Sequence, residues 1–220
     1  MILILCPLGR ELKSLKHHCE RLGFKFEEKT LGPLKCWESE SFVLGFGGHG
    51  KTQFAVHTEF LRHQWEVTHI FCVGAGGALG PDIKVLDVIV GTEIIEHDYK
   101  EKFDSQGELP RFKCDEDAVK IFKKYEGPFT VHCGPIASGD EDIVSTKRAQ
   151  ELHAHTQALA VAWEGAGGAR VAQFHRLPYT EIRAVTDAAG EKAVEEFHAS
   201  LDEAMARIAA VLYFFFSEKK

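Results

Sequence analysis

A glycine-rich segment that begins at Gly45 and ends at Thr52 has residue types that could bind phosphate. Its letters, GFGGHGKT, satisfy the P-loop pattern GxxxxGK[ST], and the first six also satisfy GxGxxG. It lies between a strand-like and a helix-like run, where backbone amides could cradle phosphates. A P-loop NTPase should also carry a magnesium-binding acid at the end of a second hydrophobic strand. The apolar run 69–73 is followed by Gly74 instead, so an NTPase is the less favoured interpretation.

Histidines and cysteines are the other side chains that could do chemistry at short spacing. Histidines occur close together at 17–18 and 153–155, and His97 precedes an aspartate, but none of these spacings is typical of a metal site. The six cysteines form no CxxC pair. We therefore expect no metal, and cysteines inside apolar runs favour a reducing, cytoplasmic environment.

Four charged residues stand near the beginning or end of expected elements. Glu11 falls in the first turn of a helix, and Glu164 lies at a helix N-terminus, where the helix dipole favours a carboxylate. Arg183 and Asp187 stand at the end of a strand, where they could form a surface ion pair. Local sequence alone leaves these structural interpretations open beside a catalytic one.

Alternating strand-like and helix-like runs form the frame that must position these residues. Strand-like runs occupy residues 2–5, 69–73, 85–90, 129–133 and 179–185, and two or three more follow the first helix, the last of them at 42–46. Helix-like runs occupy residues 9–22, 50–65, 146–155, 163–175 and 193–216, and residues 99–110 are expected to form a loop. The alternation predicts an α/β fold with a mostly parallel sheet covered on both faces. No linker of biased composition divides residues 1–220, so we expect one domain.

The charge balance limits the possible partners. A net charge of -7 argues against a nucleic-acid or anionic-membrane partner, which would favour a basic face. The apolar start of the chain lacks the basic segment of a signal peptide. Residues 211–216 are strongly apolar but far fewer than the ~20 needed to span a bilayer. We expect them to form a packed helix end or a subunit contact.

Four sequence blocks together carry a specific resemblance. They are VGAGGALGP at 73–81 with KVLDVIV at 84–90, SGD at 138–140, AWEGA at 162–166 and IRAVTD at 182–187. In this order and spacing they resemble the nucleoside phosphorylase/nucleosidase family, and most of all its methylthioadenosine/S-adenosylhomocysteine nucleosidases. The resemblance extends from Glu11 to Phe197. It implies a three-layer αβα fold with a twisted mixed central sheet, hydrolysis of the N-glycosidic bond of a purine-type nucleoside, no cofactor, and a homodimer.

The resemblance also implies roles for individual residues. Cleavage builds positive charge on the ribose and negative charge on the departing base, so an acid must protonate the base while a nucleophile approaches the sugar. Asp187 would be that acid, beside the purine N7, and Glu11 would activate the attacking water. Glu164 would accept hydrogen bonds from the ribose hydroxyls. The remaining positions would contact the substrate or shape its site; they are Leu8, His49, Ala75, Gly76, Gly77, Asp142, Ile143, Trp163, Arg183 and Phe197.

Three of these positions depart from the family pattern. Trp163 stands where the family usually has methionine, and Asp142 stands where adenosine-directed nucleosidases usually place a stacking aromatic. His49 replaces a common aliphatic residue near the ribose or its 5′ substituent. The departures leave the base and the 5′ substituent open, with a futalosine hydrolase-like nucleosidase as an alternative.

A purine nucleoside phosphorylase is the other alternative. Similar phosphorylases carry Arg at the position of Cys72 and Ser at the position of Ala75 to hold phosphate, and both are absent here. Glu11 would repel phosphate but suits a neutral water. Arg10 points the other way, because some phosphorylases bring an arginine from this N-terminal loop. Hydrolysis is the favoured interpretation.

Overall fold

The computed structural model describes residues 1–102 and 108–219 of the chain. Part of the loop expected at 99–110, residues 103–107, lies outside the described residues. The described strands are β1 (Ile2–Cys6), β2 (Glu27–Leu31), β3 (Leu34–Glu38), β4 (Phe42–Phe46), β5 (His69–Ala78), β6 (Val88–Glu96), β7 (Arg111–Lys113), β8 (Val131–Ser138), β9 (Ala160–Ala162) and β10 (Tyr179–Asp187). The described helices are α1 (Gly9–Arg21), α2 (Gly50–Arg62), α3 (Glu116–Phe122), α4 (Thr146–Thr156), α5 (Gly165–His175) and α6 (Ala193–Glu218).

All the described strands belong to one mixed sheet. Its open half has the order β2-β3-β4-β1-β5, in which β1 pairs in parallel with both β4 and β5. In the other half β5 pairs with β10, β10 with β6, β6 with β8, β8 with β9, and β9 pairs back to β5. These five strands close into a ring, because β9 pairs with both β8 and the end of β5. It is parallel to β8 and antiparallel to β5.

Strand β1 shows why the fold has three layers. Successive side chains of a strand point to opposite faces. Ile2, Ile4 and Cys6 pack in one apolar cluster with α1, α3 and α6, while Leu3 and Leu5 pack in a second cluster with α2 and α5. Both faces of the sheet are therefore covered by helices, which confirms the expected αβα architecture.

The apolar end of the chain is a packed helix end. Val211, Leu212 and Phe215 are fully buried, and the Phe215 ring stacks on Phe122 of α3 at a centroid distance of 5.1 Å. Within residues 1–102 and 108–219, no helix is long and apolar enough to cross a membrane.

Several strands differ from expectation at their ends; β8, for example, was expected at 129–133 and spans Val131–Ser138. β5 continues through the glycine cluster to Ala78, because β10 and β9 supply ladder partners along it. At Gly76 a Cβ would lie 3.1 Å from the Val161 carbonyl oxygen, so glycine permits this close strand contact. β6 begins at Val88 rather than residue 85, because Leu86 turns the chain with a φ of 75°. The short β7, β9 and α3 were not anticipated, since so few residues show no clear periodicity.

Candidate active site

The carboxyl ends of several strands meet at one edge of the sheet and surround a cavity. Parallel strands bring the residues that follow them to the same edge, which is where α/β folds bind ligands. The cavity has a volume of about 300 Å³, within the usual range for a small-molecule site. Every residue that the sequence predicted for the site lines it; they are Leu8, Glu11, His49, Ala75, Gly76, Gly77, Asp142, Ile143, Trp163, Glu164, Arg183, Asp187 and Phe197.

Glu11 is a buried carboxylate held by two backbone amides. It lies in the first turn of α1, directly after β1, and is 2% exposed. The Ala75 amide donates to its Oε1 at 2.9 Å, and the Leu8 amide donates to its Oε2 at 3.0 Å. Burial raises the pKa of Glu11 to about 7, although these two hydrogen bonds and the Arg183 charge favour the ionised form. Glu11 can therefore exchange a proton near neutral pH.

Arg183 is the buried cation of the site. Its Nε donates to Glu181 Oε1 at 2.7 Å, and its Nη2 donates to Glu164 Oε2 at 3.2 Å. Further bonds reach the Ala75 carbonyl and the Cys72 sulfur, each at 3.1 Å. Because the Arg183 side chain is 1% exposed and all three guanidinium nitrogens donate hydrogen bonds, it cannot form the surface ion pair that local sequence allowed. It ties the floor of the cavity to its buried carboxylates.

Glu164 lies at the N-terminus of α5 and contacts three different donors. Besides Arg183, the Gly50 amide donates to its Oε1 at 3.2 Å, and His49 Nδ1 lies 3.5 Å from the same oxygen. Burial alone would raise the pKa of Glu164, but His49 and Arg183 outweigh burial and lower it. Glu164 is thus an ionised acceptor on the cavity wall. The His49 ring packs against Trp163 at a centroid distance of 4.2 Å.

Asp187 is the last residue of β10 and pairs with Gly77 of β5. The Thr186 hydroxyl donates to Asp187 Oδ2 at 2.8 Å, and the Ala189 amide donates to Oδ1 at 2.9 Å. A Cβ on Gly77 would lie 3.0 Å from Asp187 Oδ1, so glycine leaves room for the carboxyl group. Burial raises the pKa of Asp187 against the effect of these hydrogen bonds. The carboxyl group is therefore biased toward keeping a proton.

Two amides of the loop with the P-loop pattern bond to protein carboxylates. The Gly50 amide is engaged by Glu164, and the Lys51 amide donates to Asp140 Oδ1 at 2.9 Å. The Lys51 ammonium lies 2.9 Å from Glu96 Oε1 and 2.5 Å from Asp98 Oδ1. Protein carboxylates thus occupy the positions where an anion would bind, which argues against the NTPase alternative.

Comparisons with known proteins decide the family. The model of a family described as the phosphorylase superfamily matches residues 1–216. The chain belongs to the phosphorylase superfamily. The matched segment includes every residue named above for the cavity.

Individual members of the superfamily are similar over most of their length. A 5′-methylthioadenosine/S-adenosylhomocysteine nucleosidase from Bacillus cereus is 30% identical over 172 residues, 74% of each chain. An aminodeoxyfutalosine nucleosidase from Helicobacter pylori is 27% identical over 208 residues, 89% of this chain and 90% of the relative. The structure of a methylthioadenosine/S-adenosylhomocysteine nucleosidase from S. pneumoniae with a transition-state inhibitor has a TM-score of 0.88, 26% identity and 97% coverage of both chains.

Sequence reasoning missed three residues that support this superfamily site. Glu181 is fully buried against Arg183; their i, i+2 spacing on one strand, which places both on one face, was the available signal. Thr186 holds Asp187, as described above. The Ser138 hydroxyl donates to the Trp163 carbonyl and accepts from the Ala166 amide, both at 2.8 Å. Ser138 lies in the SGD block, and Trp163 and Ala166 lie in the AWEGA block, but the hydrogen bonds between the two blocks could not be predicted because they are distant in the chain.

Proposed function

We propose that this protein is a nucleosidase that hydrolyses the N-glycosidic bond of a purine-type nucleoside similar to methylthioadenosine or S-adenosylhomocysteine. The observation that carries the proposal is the pair of carboxyl groups, Glu11 and Asp187, on one cavity, both with a raised pKa. Hydrolysis with a neutral water as nucleophile needs one such group as base and the other as acid. The nucleosidase relatives support the same reaction.

Asp187 is the general acid in this proposal. As the bond between C1′ of the ribose and N9 of the base breaks, its electron pair moves onto the purine. A proton on Asp187 then passes to N7, so that a neutral base leaves. Because burial raises the Asp187 pKa, the carboxyl group is better able to hold that proton near neutral pH.

Glu11 is the general base. It removes a proton from the water whose oxygen forms the new bond to C1′. The Leu8 and Ala75 amides hold the carboxylate, so the base does not depend on substrate for its position. A pKa of about 7 leaves a substantial ionised fraction at neutral pH while keeping Glu11 basic enough to accept the proton.

Glu164 stabilises the sugar as it gains positive charge. Its ionised carboxylate would accept hydrogen bonds from the ribose hydroxyls, which strengthen in the transition state. Arg183 keeps this carboxylate in place through the 3.2 Å contact and makes its burial tolerable. Trp163 and His49 form the adjoining wall, and Phe197 covers the cavity from α6.

Water is the proposed nucleophile rather than phosphate. A phosphorylase needs donors that converge on a phosphate beneath the ribose. Here the Ala75 and Leu8 amides already bond to a carboxylate, and the Arg183 guanidinium is engaged by Glu164 and Glu181. None of these groups is free to hold phosphate. Arg10 lines the cavity as well, but Glu11 beside it would repel phosphate.

For the base and the 5′ substituent, the relatives offer two classes of nucleosidase substrate. Methylthioadenosine and S-adenosylhomocysteine are named for one group of relatives, and aminodeoxyfutalosine for another. Asp142 on the cavity wall offers a carboxylate where a stacking ring would favour adenine. We therefore propose that methylthioadenosine is a poorer substrate here than for relatives with that aromatic residue.

We also propose a homodimer in the cytoplasm, with residues 1–220 acting as one domain. Val56 and Phe60 of α2 and Phe174 of α5 are exposed apolar residues on packed neighbouring helices, which suits a subunit contact. The described cysteines are all free, as a reducing compartment favours. The continuous sheet supports the single domain. Sedimentation analysis of the purified chain tests the dimer.

The experiment for the proposed function follows free base released from methylthioadenosine, S-adenosylhomocysteine, adenosine, inosine and futalosine. We expect at least one to be cleaved, and Asp187→Asn to lower turnover at least ~100-fold, because asparagine keeps the shape but cannot deliver the proton. Asp117→Asn, at an exposed helix carboxylate, is the matched control and should turn over normally. Near-normal turnover by Asp187→Asn would remove Asp187 from its role.

A further inference from the structure

The cavity has a buried floor and an exposed mouth that differ in chemistry. Glu11, Glu164, Arg183 and Asp187 on the floor are all buried. If the proposed function holds, the glycosidic bond must lie over this floor between base and acid. The 5′ substituent takes no part in the reaction, so we assign it to the mouth. The charges at the mouth then decide which substituents fit.

Arg10 is an exposed cation at this mouth. It lies in the first turn of α1, beside Glu11, and lines the cavity. Its guanidinium lies over the Phe197 ring at 4.5 Å from the centroid, and its Nη1 is 3.5 Å from His198 Nδ1. Phe197 and His198 line the same cavity. The stacked ring holds the guanidinium at the rim without neutralising it.

Arg10 has no carboxylate partner among residues 1–102 and 108–219. An arginine beside the same cavity does have one: Arg148 binds Glu141 through two nitrogens, at 2.8 and 2.7 Å. An arginine held in place but left without an anion is suited to receive one from a ligand.

The other charged residues of the mouth are paired within the protein. His49 is half-exposed. Its hydrogen bond with Glu164 is the main cause that raises its pKa, and the charge of Asp142 raises it further. Its charge is thus balanced by protein carboxylates. Glu141 is balanced by Arg148. Arg10, held by Phe197 and His198, is therefore a cation at the rim whose charge no carboxylate of the described residues balances.

We propose that Arg10 makes this site selective for nucleosides whose 5′ substituent is anionic. The planar guanidinium would bind the anion through two parallel N–H donors. Two sources share this chemistry: a carboxylate at the end of a thioether tail, and a phosphate ester directly on C5′. The inference rests on the proposed function, because it needs the floor residues to orient the nucleoside.

The test compares kcat/KM for three substrates that differ only at C5′: methylthioadenosine, its 5′-carboxypropylthio analogue and adenosine 5′-monophosphate. We expect wild type to prefer an anionic substrate over methylthioadenosine, and Arg10→Gln to lower that preference about 10-fold. Arg10→Lys keeps the charge without the planar fork and should restore part of it. Arg21→Gln is the matched control: it removes an exposed arginine from the last turn of the same helix, outside the cavity. It should leave the preference unchanged.

The outcomes separate this inference from the proposed function. Loss of preference for the carboxypropylthio analogue supports the inference with a carboxylate as the source, and loss for the monophosphate supports it with a phosphate ester. Equal effects of Arg10→Gln on all three substrates would overturn the inference while leaving the nucleosidase intact. Absence of base release from every nucleoside tested, including inosine and futalosine, would instead refute the proposed function.

Discussion

Three glutamates surround one arginine in this site, and their surroundings give them different proton affinities. Glu11 and Glu181 have raised pKa values because burial dominates. Glu164 is almost as buried, yet its pKa is lowered because His49 adds a second donor charge to that of Arg183. The same residue type thus supplies one carboxyl group that titrates near neutral pH and one that is biased toward its ionised form. Such divergence between neighbouring carboxyl groups is typical of catalytic sites.

The raised pKa of Glu11 predicts a pH-dependent cost to stability. Between the ordinary value of 4.5 and about 7, folded Glu11 is protonated while unfolded Glu11 is ionised, so folding takes up a proton. The stability that this proton contributes is fully present below pH 4.5 and is lost as pH rises through 7. Relative to Glu11→Gln, wild type should lose up to about 1.4 kcal/mol per pH unit across this window.

Urea unfolding of wild type and Glu11→Gln from pH 4.5 to 8 measures that difference. Glu20→Gln is the matched control, because Glu20 lies on the same helix but on the exposed surface, paired with Lys16. Its difference from wild type should show no comparable slope between pH 5 and 7. A flat difference for Glu11→Gln would mean that Glu11 titrates normally and is not poised as proposed.

At the scale of elements, the loop between β4 and α2 shows how a phosphate-binding pattern arises without phosphate. Two of its glycines are required by the fold. A Cβ on Gly47 would overlap the Phe54 ring, and Gly50 has a φ of +79°, which side chains rarely adopt. Its lysine holds the loop to the end of β6 through Glu96 and Asp98. Asp98 in turn accepts the Asp140 amide at 2.9 Å, in the loop that carries Asp142.

Lys51 therefore connects two loops that both line the cavity, one through His49 and the other through Asp142. We expect Lys51→Met to raise KM for the nucleoside about 10-fold, equivalent to about 1.4 kcal/mol, with a smaller effect on kcat. The reason is that both loops must then be ordered by the substrate. Lys120→Met, which breaks an exposed pair with Asp117, is the control and should leave KM unchanged. A fall in kcat alone would contradict this positioning role.

The loop after β8 carries the departure that most affects base recognition. Asp142 is exposed at the cavity, where an aromatic ring could stack on adenine. Asp142→Phe should tighten binding of adenine nucleosides by about 1–3 kcal/mol, the usual contribution of one such stack. Titration calorimetry measures it, and Asp142→Asn separates the gain of a ring from the loss of a charge. Unchanged or weaker binding by Asp142→Phe would show that this loop does not face the base.

For the whole molecule, the long helices and strands and the residues that line the cavity could be predicted from sequence. The contacts between distant side chains could not. Buried runs such as β1 and β10 are recognisable by composition, and the four sequence blocks indicated the superfamily. The ring closed by the three-residue β9 depends on partners far along the chain, so no local pattern predicts it. The proton affinities of Glu11 and Glu164 likewise depend on donors from other elements. Those donors are known only from the fold.

The central claim is that this fold directs water, and not phosphate, to the nucleoside. The most direct measurement follows cleavage of a nucleoside substrate with and without inorganic phosphate and identifies the sugar product. We predict free ribose, or its 5′-substituted form, at a rate that phosphate does not change, and loss of that rate in Glu11→Gln. Formation of a ribose 1-phosphate, at a rate that rises with phosphate concentration, would contradict the account and make the protein a phosphorylase.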